Sequence, residues 1–115
     1  MTNYDIVINQ AHVMDPESKL DQLQNVGISQ GKIAMISDSP LHGEQVIDAP
    51  GQILCPGFID LHCHPQDTQI FEVQALDGVT TTLELEVGTS DIEHFYSKWE
   101  KQSPINFGAS IGHIP

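Results

Sequence analysis

Short runs of apolar and β-branched residues, broken by turn residues, fill the first half of the chain. Tyr4 to Asn9 (Y-D-I-V-I-N) reads as a strand, with a continuation at Ala11 to Met14. Asp15-Pro16-Glu17-Ser18 is a turn. Gln24 to Ser29 and Lys32 to Ser37 read as two strands joined by a tight turn at Gln30-Gly31. Asp38 to Gly43 is a loop and Gln45 to Asp48 a short strand. Ala49-Pro50-Gly51 turns into Gln52 to Cys55. This spacing predicts a small antiparallel sheet.

The pattern changes at Pro56. Phe58 to Leu61 is an apolar run, long enough for a fully buried strand, and Pro65 stops it after His64. Thr68 to Leu76 is predicted helical, with Ile70, Val73 and Leu76 at helical spacing and a stop at Asp77-Gly78. Val79 to Val87 is a β-branched strand. Ser90-Asp91-Ile92-Glu93 has the form of a capping box. Ile92, Phe95, Tyr96 and Trp99 then mark an amphipathic helix from Asp91 to about Lys101. Ser103-Pro104 breaks it, and Ile105 to Ile111 is a third strand. Strand and helix in alternation predict parallel βαβ units. The one boundary this implies divides residues 1–55, a β-domain, from residues 56–115, an α/β unit.

Charge narrows the partners. Lys and Arg number 4 against 16 Asp and Glu, a formal charge of -12. A chain this acidic repels phosphate backbones and anionic membrane surfaces, so nucleic acid and membrane are excluded as expected partners. At 39% hydrophobic content the composition is that of a globular domain. The N-terminus carries neither a secretory signal pattern nor a membrane-spanning run. Cys55 and Cys63 flank one predicted strand, too far apart to bridge. Free thiols without a signal point to a cytoplasmic protein.

Chemistry concentrates in Asp60-Leu61-His62-Cys63-His64. Alternation along a strand puts His62 and His64 on one face, with Asp60, and Cys63 on the other. Two imidazoles at the C-terminal end of a strand can grip one transition-metal ion. H-x-H alone is a weak signal; the Pro-Gly break, the apolar run and the acidic residue before it strengthen it. Glu84 and Glu86 alternate in the next strand. Glu86, nearer its C-terminal end, is a candidate metal ligand or catalytic contact, and Glu84 a weaker one, one layer deeper.

Together, P-G-F-I-D-L-H-C-H resembles the P-G-(F/W/L)-I-D-x-H-x-H signature of the amidohydrolase superfamily. The resemblance implies an α/β fold: the start of a metal-dependent (β/α)8 TIM-like barrel, preceded by half of a small β-sandwich domain. A barrel of that type needs about 250 residues, so a chain of 115 residues ending on Gly112-His113-Ile114-Pro115 fits a truncated, N-terminal piece. A complete small protein is the alternative. G-V-T-T-T-L-E-L-E-V-G-T-S resembles a strand of the D-aminoacylase subgroup in which a cysteine binds the metal. Aligned on its glycines, that cysteine falls on Val87, a departure that makes Glu86 the substitute.

Asp67 follows the histidine pair where the same subgroup commonly has an acidic residue, which makes it a candidate catalytic residue. Its position before the segment starting at Thr68 is better accounted for by an ordinary helix N-cap. His113, in S-I-G-H, resembles a further segment of the subgroup and is a candidate for facing the site. His12, His42 and His94 read as surface residues, and Cys63 as buried and inert.

The resemblance implies one or two divalent ions, Zn²⁺ first, held by His62, His64 and Glu86. It implies a general-base Asp and further ligands beyond Pro115. The expected function is hydrolysis of a non-peptide C–N bond in a small-molecule amide, as in an N-acyl-D-amino-acid deacylase. A cyclic-amide hydrolase of the dihydroorotase or hydantoinase kind is the alternative enzyme. A non-catalytic β-rich domain retaining the signature is the reading from another class. The oligomeric state is open, a homo-oligomer included.

Overall fold

The computed structural model describes residues 3–112. They form two compact units that divide between Pro56 and Gly57.

The first unit is a five-stranded sheet ordered β3-β2-β1-β4, with β5 also paired to β1. Its strands are β1 (Tyr4–Asp15), β2 (Leu20–Ser29), β3 (Lys32–Ser37), β4 (Gly43–Asp48) and β5 (Ile53–Leu54). The two runs seen in the sequence at either side of Gln10 are one strand. Its register shifts between Ile8 and Ala11, and Gln10 sits at φ 56°. That bulge is held by Asn25, whose Oδ1 accepts from the Gln10 N–H at 3.0 Å. The turn between β2 and β3 has both Gln30 and Gly31 at positive φ, the pattern that matches the twist of a two-residue hairpin.

The antiparallel expectation holds for β1, β2 and β3 only. Both β4 and β5 join β1 in parallel. Alternation in a sequence fixes which side chains share a face, not which strand lies alongside or in what direction. A buried cluster of Ala11, Val13, Val26 and Ala49, with Ile8, Leu20, Ile28 and Leu54 packed against it, forms the core of this unit.

The second unit is a parallel sheet ordered β6-β7-β8. Its elements are β6 (Phe58–Asp60), α1 (Thr68–Leu76), β7 (Val79–Thr89), α2 (Ile92–Trp99) and β8 (Asn106–Ile111). Gly57 precedes β6 for reasons of space. A Cβ built there would lie 2.7 Å from the Cβ of Thr80, closer than real atoms approach.

Three expectations are corrected. The strand bearing the histidines ends at Asp60, and its apolar run is not buried: Phe58 and Ile59 are each 62% exposed. β6 is the edge strand of the sheet, with no strand on its outer side among the described residues. In α1 the apolar row at Val73 and Leu76 faces solvent, while Phe71 is fully buried. Phe71 meets Trp99 edge-on, ring centroids 5.1 Å apart, and Phe107 at 6.2 Å, an aromatic core that outweighs the helical row. The cap of α2 is Asp91, not Ser90: its side chain accepts from the His94 N–H at 2.9 Å, and the helix ends at Trp99. Aspartate and serine are comparable caps, and the sequence offers both side by side.

Candidate metal centre

The site lies where β6 and β7 end. His62 is past the last residue of β6 but stays beside β7 through a single bridge to Glu84. The backbone N–H of His62 donates to Asp60 Oδ1 at 2.9 Å, and the Cys63 N–H donates to the Leu83 carbonyl at 3.3 Å. Asp60 is fixed from its other oxygen by Gln74 of α1, whose Nε2 lies 2.8 Å from Oδ2 and 3.2 Å from Thr82 Oγ1. Gln74 thus ties the helix to both the edge strand, at Asp60, and the central strand, at Thr82, two residues before the first histidine.

His62, His64 and Glu86 are brought together. His62 Nε2 lies 2.9 Å from Glu86 Oε2, and His64 Nε2 lies 3.1 Å from the same oxygen. The imidazoles stand edge to face, centroids 5.1 Å apart. One donor atom from each residue falls within 4.8 Å of the others, and all three residues are exposed. Zinc holds imidazole nitrogen and carboxylate oxygen at about 2.0–2.2 Å, which puts ligand atoms sharing an ion about 3–4 Å apart. Two imidazoles and a carboxylate at these separations fit such an ion.

Glu84, the weaker ligand candidate one layer down, is instead the partner of His64. It is buried, at 6% exposure. One carboxylate oxygen, Oε2, pairs with His64 Nδ1. The other, Oε1, accepts from the backbone N–H groups of Val87 at 3.2 Å and Gly88 at 3.3 Å. The hydrogen bond that His64 donates to Glu84, with lesser help from Glu86, raises the pKa of His64 above its ordinary 6.5, against a smaller opposing effect of desolvation. The signal for this residue was the E-L-E alternation itself.

Asp67 caps α1, accepting from the Gln69 N–H at 3.0 Å and the Ile70 N–H at 3.3 Å. It is not one of the three residues whose donor atoms converge. His113 lies outside the described residues. His12 pairs with Asp21 across β1 and β2. Cys63 is buried and Cys55 exposed, both as free thiols. No helix among the described residues is long and apolar enough to cross a membrane.

No protein-family model matches the chain. Among curated proteins, it is similar to the dihydroorotase of Elusimicrobium minutum, 41% identical over 59 residues, which are 50% of this chain and 14% of that protein. The dihydroorotase of Streptococcus pneumoniae is 34% identical over 94 residues, 74% of this chain and 22% of that protein. Among solved structures, an N-acyl-D-glutamate deacylase from Bordetella bronchiseptica, complexed with zinc and a phosphonate inhibitor, matches with a TM-score of 0.81. It is 22% identical, over 97% of this chain and 30% of that one. An L-hydantoinase from Arthrobacter aurescens matches with a TM-score of 0.68 at 22% identity, over 90% of this chain and 27% of that one. The fold is that of the N-terminal region of amidohydrolase TIM-barrel proteins, and the dihydroorotases, deacylase and hydantoinase that the chain resembles all lie within that superfamily. It spans less than a quarter of the length of the curated relatives it matches.

Proposed function

We propose that this chain supplies the opening metal half-site of a zinc amidohydrolase that cleaves an exocyclic amide of an N-acyl-D-amino acid. The observation that carries the reading is the convergence of His62 Nε2, His64 Nε2 and Glu86 Oε2. A zinc ion bound by these residues would lower the pKa of a water molecule and polarise the scissile carbonyl.

The chain's own residues prepare that site. Asp60 holds the backbone at His62, and Gln74 holds Asp60. Glu86 places a carboxylate oxygen between the two imidazoles. The exposure of all three donors leaves the site open to a small-molecule substrate. Support for the exocyclic amide comes from the deacylase likeness, which extends over 97% of the chain. The dihydroorotase relatives favour a second reading, a cyclic-amide hydrolase.

Elemental analysis and substrate profiling of the full-length gene product test both. About one or two zinc ions per chain are expected, with at least one lost in His62→Ala/His64→Ala. Turnover of N-acetyl-D-amino acids supports the first reading, and turnover of dihydroorotate or hydantoins the second. A zinc-free product from zinc-supplemented medium that turns over neither sinks both.

A further inference from the structure

We propose that Glu84 is a positioning residue: it holds His64 in the tautomer that presents Nε2 to the metal, and locks the donor set to the end of β7. The proposal rests on the metal reading above and adds a residue to it.

His64 needs an outside constraint. It lies past the end of β6, so no strand pleat sets the direction of its ring. Glu84 provides that constraint from the neighbouring strand. An ionised carboxylate only accepts hydrogen bonds, so its contact with Nδ1 requires the proton there, and once a metal ion displaces the proton that Nε2 shares with Glu86, the free lone pair is on Nε2. That nitrogen is the one 3.1 Å from Glu86 Oε2. A metal-bound histidine commonly donates its other N–H to a carboxylate, which fixes both ring orientation and tautomer.

The placement of the second oxygen extends the argument. Oε1 collects the N–H groups of Val87 and Gly88, the two residues that follow Glu86. One carboxylate therefore grips the ring of one donor and the backbone beside another. Burying a carboxylate is costly without partners. Among the described residues Glu84 has no lysine or arginine partner, and the imidazole is its one ion-pair contact. Two backbone N–H groups would suffice for a staple of the β7 turn. The oxygen spent on His64 is what a purely structural role leaves unexplained.

The test uses the full-length gene product. Long-range ¹H–¹⁵N NMR of the metal-free protein, at a pH above the measured His64 midpoint, is expected to show His64 protonated at Nδ1. Zn²⁺ affinity is then measured by competition with a chromophoric chelator. Glu84→Gln cannot accept at both ends and is expected to bind Zn²⁺ about 10–100-fold more weakly, with a mixed His64 tautomer. Glu84→Asp, which keeps the charge, is expected to recover part of the loss. If the parent binds Zn²⁺ and His62→Ala weakens it, while Glu84→Gln binds like the parent, the positioning role is wrong and the metal site stands. If the parent binds no Zn²⁺, or His62→Ala changes nothing, the metal reading falls and takes this proposal with it. A parent His64 protonated at Nε2 overturns the proposal even if every Glu84 variant fails to fold.

Discussion

The backbone N–H of His62 donates to the carboxylate of Asp60, two residues earlier, at 2.9 Å. The bond turns the chain out of β6 and starts the approach of the imidazole to Glu86. Gln74 holds the other oxygen. Asp60→Ala strands both donors and is expected to cost about 1–3 kcal/mol of stability, with reduced zinc content. Asp60→Asn should be milder. Gln74 Oε1 is buried without a partner, so flipping that amide lets it accept from the new side chain. Urea denaturation of the two variants against the parent measures the difference, and equal losses would contradict this account.

Phe71 anchors the second unit. It is fully buried against Trp99 and Phe107. Phe71→Ala is expected to cost about 3–5 kcal/mol. Leu76→Ala, at a position 90% exposed, should stay within about 0.5 kcal/mol. Chemical denaturation followed by tryptophan fluorescence reads both, since Trp99 is the one tryptophan.

The caps of α2 separate two neighbouring residues. Asp91→Ala should lose about 1 kcal/mol, while Ser90→Ala should lose little, within about 0.5 kcal/mol. Equal losses from both would restore the capping box read from the sequence.

His64 titrates above 6.5 because Glu84 and Glu86 favour its charged form. The stability this contributes to the metal-free protein is fully present below 6.5 and is lost as pH rises through the higher folded value. An NMR titration of the metal-free protein should place the His64 midpoint above 6.5, and Glu84→Gln should bring it down. A midpoint unmoved by that substitution would rule out Glu84 as the main cause.

Some of this was legible in the chain and some was not. The bounds of β3 and α1 follow directly from runs and stop signals, and the parallel sheet from strand–helix alternation. His62, His64 and Glu86 were named from two i, i+2 pairs and the resemblance, although the strand on which the histidine pair was read stops at Asp60. The parallel partners of β1 did not follow, because pairing direction is set by contacts distant in sequence. The buried face of α1 was hidden because Phe71 and Gln74 lie off the apolar row. Glu84 was visible as a residue but not as a role: a buried carboxylate gains its meaning from the N–H groups that surround it.

Gly57 occupies a place that Thr80 leaves for it, with no room for even a methyl group. Rotating the threonine moves its Cγ2 and Oγ1 but leaves its Cβ 2.7 Å away, still too close. The glycine of the Pro-Gly pair is therefore half of a two-residue agreement between adjacent strands. A lineage that replaces Gly57 must first put glycine at position 80, since every other residue keeps the obstructing Cβ. Among relatives that keep this pair of strands the two sites are expected to drift together, a coupling that neither residue's own chemistry would suggest.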